Sequence, residues 1–350
     1  MLKEERIKMF EDVFAPKPQE KILFLVDIPH GNIKDNKKWA DRRIMAKDWY
    51  ETFREMGEKK GFSVEMLNYN ATGMHNTPLS EEILNLAHKS DLVIAMTEFS
   101  ASSSLFKLAN EKNAKVRCAS MPTIEKRMEK TALKADYKQV QRNAALLEKI
   151  LQKANSAEVN FSTGDSIFVD LRNRVAKREA GDCTKPGQCI NLPSGESWKV
   201  PYEAAPDEID EFGESKTEGI LPQSLDGELV RYKVKNNRIV EIIGEGEKAK
   251  KMRKFFSENE TRRNIAEFAI GCNTSAVATG NILEDEKCSG LHIGYAMSTQ
   301  LGGKIKSDMH EDIVFTKGCP VEAIKVTLMN KDGTKTEIIE NGEVNYDLLK

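Results

Sequence analysis

The chain has 350 residues, long for a single hydrophobic core and better matched to two domains. Its 53 basic and 55 acidic residues nearly cancel, leaving a formal net charge of -2, which removes the usual electrostatic reason to expect a nucleic-acid or membrane partner. The start, MLKEERIKMFEDVF, lacks the apolar core and cleavage site of a secretory signal, and the run ILFLVDIP is too short to span a bilayer, so a cytoplasmic protein is expected.

Residues 1–155 read as alternating strand and helix. KILFLVDIP (21–29) is an apolar run closed by proline, the pattern of a buried parallel strand. Residues 37–60 have helical period and end near Gly57 or Gly61. FSVEMLNY (62–69) is a second strand. SEEILNLAHKS (80–90) opens with an N-cap serine followed by acids. DLVIAMTEF (91–99), SSLFKLANEKNA (103–114) and KVRCASMP (115–122) continue as strand, helix and strand. Residues 124–155 are helical in pattern, with a break near Asp136. This rhythm predicts an α/β domain with a doubly wound parallel sheet. No GxGxxG follows any of these strands, so a dinucleotide site has no sequence support.

Residues 156–350 predict a β-rich α+β domain. DSIFVDLRNR reads as a strand, RYKVKNNRIVEIIGEG as a hairpin turning at Asn236-Asn237, and KAKKMRKFFSENE (248–260) as a basic amphipathic helix. NIAEFAIG, GLHIGYAM, HEDIVF and AIKVTLMNKDGTKTEII complete the strands, the last turning at Asp332-Gly333. The acidic segment 205–219 is expected to be an exposed loop. The six cysteines, at 118, 183, 189, 272, 288 and 319, are scattered; Cys183 and Cys189 read as reduced loop residues because no second close pair completes a structural zinc site.

The candidate chemistry lies in the second half. NLPSGE holds Pro193 and Gly195, which favour a tight turn able to aim Glu196 into a cavity, although a glutamate after Ser-Gly is also an ordinary exposed turn residue. Glu267 stands among Ile265, Ala266, Phe268 and Ile270, in a strand expected to be buried on both faces. A buried glutamate requires a cation or a structural arginine, and Arg262 and Arg263 are near in sequence. His292 and Gly294 share one strand face, with the glycine leaving room beside the imidazole; a core histidine bonded to a backbone carbonyl would look the same. His310 and Asp312 share a face with Glu311 opposite. Two imidazoles with several carboxylates can hold one divalent metal and have the composition for two.

At these residues the sequence resembles the thermophilic metallo-aminopeptidases, the aminopeptidase T group. NLPSGE, NIAEFAIGCN, GNILEDEKCSGLHIG and SDMHEDIVF occur in that family's order, with TALKADYKQV resembling the link between its halves. The resemblance implies a homodimer with a metal site from Glu196, Glu267, His292, His310 and Asp312, and Glu286 close to it. It implies two zinc or cobalt ions, with manganese also compatible, and release of N-terminal residues from peptides. On that reading Glu267 bridges the ions and Glu286 acts as general base. One departure stands out: the larger peptidases carry a tyrosine seven residues after the first histidine, where this chain has Thr299, and Tyr295 lies on the face opposite His292. The alternative is a mononuclear iron(II) ring-opening dioxygenase for hydroxylated heteroaromatics, since dihydroxypyridine dioxygenases look like distant relatives of the peptidases. His292, His310 and Asp312 have the two-histidine, one-carboxylate composition of such a site. A non-catalytic metal or small-molecule binder is the third reading.

Overall fold

The computed structural model describes residues 1–349. The chain forms two compact units and passes between them more than once, rather than crossing at a single boundary near residue 155. The first comprises Met1–Gln141, Glu179–Ser194 and Asn273–Asp285; the second comprises Arg142–Arg178, Gly195–Cys272 and Glu286–Lys350. Among the described residues, no helix is long and apolar enough to cross a membrane.

The first unit is built on a five-stranded parallel sheet. Its order is Ser63–Asn70, Lys21–Ile28, Leu92–Ala95, Arg117–Ser120 and Cys189–Asn191. The first strand of the chain is therefore internal, and the connections leave it in both directions, which is a doubly wound order. Ile22 to Val26 are all buried, as expected of a strand covered on both faces. The helix Lys37–Lys60 starts where the Asn36 side chain accepts a hydrogen bond from the Trp39 amide. It stops at Gly61, whose φ of 81° only glycine adopts without strain. The fifth strand, Cys189–Asn191, comes from far along the chain and was not foreseen. Nor was the burial of Cys183, read as a loop thiol, whose Sγ donates to the Cys118 carbonyl.

The second unit holds two largely antiparallel sheets. Eight strands run in the order Arg238–Ile243, Glu228–Lys235, Glu218–Leu225, Ser166–Asp170, Ala154–Phe161, Ala323–Asn330, Lys335–Glu340 and Glu343–Val344. Five strands run in the order His310–Val314, Gly290–Ala296, Ile265–Gly271, Glu196–Lys199 and Lys177–Glu179. The predicted turn at Asn236-Asn237 has both residues at positive φ, 50° and 63°, matching a hairpin turn whose twist suits the strands.

Residues 124–155 are helical with the expected break near Asp136: two 3₁₀ turns, Lys126–Lys130 and Ala132–Lys134, precede the helix Tyr137–Lys153, and the strand Ala154–Phe161 begins directly after it. Another expectation fails. The acidic segment 205–219 is not an exposed loop throughout. It contains the helix Ile209–Phe212, and Glu208 is buried because Arg174 Nη1 donates to its Oε1 at 2.6 Å.

The smaller sheet has two unlike faces. Along one, Ser197 Oγ donates to the Ala144 carbonyl and Tyr295 packs on Phe256, which in turn packs on Tyr232 of the larger sheet. The other face carries the polar cluster described next.

Candidate metal centre

Residues opposite one another across an antiparallel ladder share a face of the sheet, as do residues two apart on one strand. The register sets Glu196 against Gly271, His292 against Ala269, Gly294 against both Glu267 and Asp312, and His310 against Ala296. Glu196, Glu267, His292, His310 and Asp312 therefore stand on one face. Ala269, Gly271, Gly294 and Ala296 stand between them on the ladder. A Cβ on Gly294 would lie 2.7 Å from His310 Cε1 and 2.8 Å from Asp312 Oδ1, so these two side chains can lean across the strand only over a glycine.

The donor atoms form two trios that share Glu267. One is Glu196, Glu267 and His292, all buried; the other is Glu267, His310 and Asp312, whose histidine and aspartate are partly open. His310 Nε2 lies 3.1 Å from both Glu267 Oε2 and Asp312 Oδ1. His292 Nε2 lies 3.2 Å from Glu196 Oε2 and 3.8 Å from Glu267 Oε1. Glu196 Oε2 is buried without an acceptably angled hydrogen bond, so its contact with His292 is Coulombic. The three residues proposed for a mononuclear centre, His292, His310 and Asp312, are not gathered in one trio. Glu267 stands between the imidazoles, near both.

The His310 ring shows which atom faces the cluster. Its Nδ1 is 2.7 Å from the Met297 carbonyl, which can only accept, so Nδ1 carries a hydrogen. The carbonyl is placed by Ala296, a non-glycine residue at φ 77°. Its amide donates to the Asn264 carbonyl, and its own carbonyl accepts from Asn264 Nδ2. In the neutral ring Nε2 then presents a lone pair to two carboxylate oxygens. Convergent acceptors of this kind repel each other unless a cation lies among them, and a ligand histidine that donates its other N–H to a carbonyl is a recurrent feature of metal sites. The residues thus fit a divalent ion.

The electrostatics agree. Burial opposes the charge on Glu267, but the two imidazoles hold its carboxyl down to about 2. Burial also opposes charging of His292 and His310; the carboxylates outweigh it, Glu196 and Glu267 for the first, Asp312 and Glu267 for the second, and pull both well above the ordinary range. This surroundings favours positive charge, whether proton or metal.

Glu286 lies outside both trios. Burial pushes it up to about 8, with Glu196 and Asp312 adding to the rise and Lys287 and His292 opposing it. Lys287 escaped the sequence reading. Its Nζ is buried, 2.6 Å from Glu196 Oε1 and 2.7 Å from Glu286 Oε1. In EDEKCSG it looks like one more solvated charge, and nothing in the sequence marks it as internal. Tyr295 is on the opposite face, as expected, and Thr299 is exposed in a turn.

A cleft of about 650 Å³ in the first unit is also lined by charge, but its groups satisfy one another. Lys38 pairs with Glu125 at 2.7 Å, Arg127 with the same glutamate at 2.7 Å, and Arg42 with Glu98.

The family model described as NicX, 2,5-dihydroxypyridine 5,6-dioxygenase, matches residues 39–289. This chain belongs to that family. The match includes Glu196, Glu267, Glu286 and Lys287 and ends just before His292. No curated protein matches the sequence. Among solved structures, the 2,5-dihydroxypyridine dioxygenase from Pseudomonas putida KT2440 is similar, with a TM-score of 0.70 and 16% identity over 98% of each chain. Wild-type AmpT from Thermus thermophilus is similar at a TM-score of 0.61 and 12% identity, over 98% of this chain and 99% of the other. At such identities the likeness shows the fold alone.

The family match corrects the reading as a metallo-aminopeptidase that releases N-terminal residues from peptides. The motifs behind that reading form the strands and turns of a fold that the AmpT structure shares. A cage of imidazoles and carboxylates fixes a cation without fixing the reaction done on it. Thr299, where the larger peptidases have a tyrosine, was the sequence signal against peptide hydrolysis.

Proposed function

We propose that this protein is an iron(II)-dependent dioxygenase that opens the ring of a dihydroxylated nitrogen heteroaromatic. The observation that carries the reading is the partly open trio Glu267, His310 and Asp312, with His310 fixed by the Met297 carbonyl, in a chain of the dihydroxypyridine dioxygenase family. These three side chains would hold the ion, with His292 beside them at 3.8 Å from Glu267. Iron(II) supplies the one-electron chemistry that lets molecular oxygen combine with an electron-rich ring.

The chain's own groups would do the rest. Asp312 and Glu267 fix the ring and charge of His310. Trp198 lies on the same sheet face, set against Ala269, and offers a flat aromatic surface to a heterocycle. Glu286, held near the upper end of the neutral range, is suited to exchange a proton with a substrate hydroxyl at its carboxylate. Both atoms of oxygen enter the product as one ring bond is cleaved.

The test is oxygen uptake by protein loaded anaerobically with iron(II), with a panel of dihydroxypyridines and related dihydroxylated heterocycles. We expect uptake of one oxygen per substrate with loss of the ring's ultraviolet absorbance. Iron-replete, folded protein that consumes no oxygen with any member would overturn the reading.

A further inference from the structure

Two trios sharing a glutamate could hold two ions, yet one of them already has a cation beside it. We infer that Lys287 limits the centre to a single metal, with its ammonium group taking the electrostatic place of a second ion. The inference rests on the same site as the proposed reaction but not on the reaction itself.

The two trios differ in two respects. Lys287 Nζ sits 2.6 Å from Glu196 Oε1, inside hydrogen-bond range of a would-be ligand, while no lysine or arginine pairs with Asp312 or Glu267 among the described residues. Lys287 is also 2.7 Å from Glu286 Oε1, so it joins two carboxylates as a bridging cation does. Access differs as well. Glu196, Glu267 and His292 are all buried, whereas His310 and Asp312 are partly open, so an ion from solution reaches the second trio more directly.

A fixed ammonium this close repels a divalent ion strongly where the dielectric is low. The Glu196 trio is otherwise well formed: Glu196 Oε2, His292 Nε2 and Glu267 Oε1 converge, and Glu196 Oε2 has no hydrogen bond. What disfavours a second ion is charge rather than missing ligands. Lys287 also neutralises Glu196 and keeps it upright beside His292. The single ion therefore belongs to Glu267, His310 and Asp312, and Glu196 serves as a positioning residue through Lys287 and His292.

The experiment counts metal. Purified full-length protein is stripped, titrated with cobalt(II) or zinc(II) by calorimetry, and its bound metal measured by elemental analysis after desalting. Wild type should bind one ion per chain. Lys287→Met should bind two, and Lys287→Arg, which keeps the charge, should stay at one. Glu196→Gln should keep the one ion with affinity within a few fold of wild type, whereas Asp312→Asn should lose it. Two tight ions in wild type would overturn the inference, as would a folded Lys287→Met that still binds one. Should Lys287→Met fail to fold, the wild-type count and the contrast between Glu196→Gln and Asp312→Asn decide: loss of the ion in Glu196→Gln refutes the assignment. None of these readouts uses substrate. A count of one with no oxygen uptake would refute the reaction and leave this inference standing; a count of two with uptake would do the reverse.

Discussion

Each unit buries a carboxylate in the middle of a sheet, and the two are treated in opposite ways. In the first unit Asp27, fully buried at the end of the strand Lys21–Ile28, is surrounded by donors. The amides of Glu98 and Phe99 donate to it at 2.8 and 3.0 Å, and Trp39 Nε1 donates at 3.0 Å. In the second unit Glu267 is as deeply set, yet its neighbours are two imidazoles and, through them, further carboxylates. Asp27 ties the loop after Leu92–Ala95 to the sheet and to the helix Lys37–Lys60. Glu267 ties nothing to anything without a proton or a cation. A saturated buried acid reads as architecture, and an acid among convergent acceptors reads as a site.

The strongest way to break this contrast is to remove one acceptor from each. Asp312→Asn or His310→Ala should lower metal affinity by more than about 100-fold and oxygen uptake with it, since even outer partners of metal ligands are worth roughly 10–100-fold. Asp27→Asn should leave the bound metal unchanged in whatever fraction folds. Elemental analysis of desalted protein with oxygen-electrode assays checks both. A folded Asp312→Asn with full metal content would sink the assignment.

Stability should separate them next. Asp27→Ala leaves several buried donors without an acceptor and should cost about 3 kcal/mol in urea unfolding of the apo protein. Metal at about 100 times its Kd should stabilise wild type by roughly 2.7 kcal/mol. That increment should persist in Asp27→Ala and vanish in Glu267→Gln. If Glu267→Gln kept it, Glu267 would be a structural acid like Asp27.

A smaller effect sharpens the geometry. Gly294→Ala places a methyl group 2.7 Å from His310 Cε1 and 2.8 Å from Asp312 Oδ1. The ligands must shift, so we expect about 1–2 kcal/mol of destabilisation and a loss of metal affinity on the order of 10-fold. An unchanged affinity would mean that His310 and Asp312 do not lean over this position when the metal is bound.

The sequence made the alternation legible and little beyond it. Period two put His292 with Gly294 and His310 with Asp312, and the burial of Glu267 followed from its apolar neighbours. Which strands pair, and in what register, is settled by long-range contacts, so the shared face of Glu196 and Glu267 could be read only through a family resemblance. That resemblance named side chains that the fold brings onto one face and misjudged the reaction, because a shared arrangement of side chains and a reaction type are separate properties. Lys287 was invisible for a physical reason: it is buried against two carboxylates, and one of them, Glu196, lies far from it in sequence. The parallel sheet was read strand by strand except for Cys189–Asn191, too short to show any period.

Lys199 offers the smallest test and a third kind of buried charge. Its Nζ is almost fully buried on the far face of the small sheet and donates to the carbonyls of Ala154 at 2.7 Å and Leu151 at 3.3 Å. No carboxylate pairs with it among the described residues. Burial, with a minor push from Lys331, lowers its pKa to about 8. The sign follows from proton counting. Between about pH 8 and the ordinary lysine value near 10.4, the unfolded chain binds the proton and the folded chain releases it, so this group makes stability rise with pH. Below pH 8 both states are protonated and the folded state carries the full cost of the buried charge. Because waters and small shifts relax such sites, we expect a gain of only about 1–2 kcal/mol across the window. Lys199→Met removes the charge and should unfold with a flatter dependence between pH 8 and 10, the difference between the two curves isolating this residue from tyrosines and thiols that titrate nearby. Coincident curves would mean that Lys199 is solvated in the folded protein.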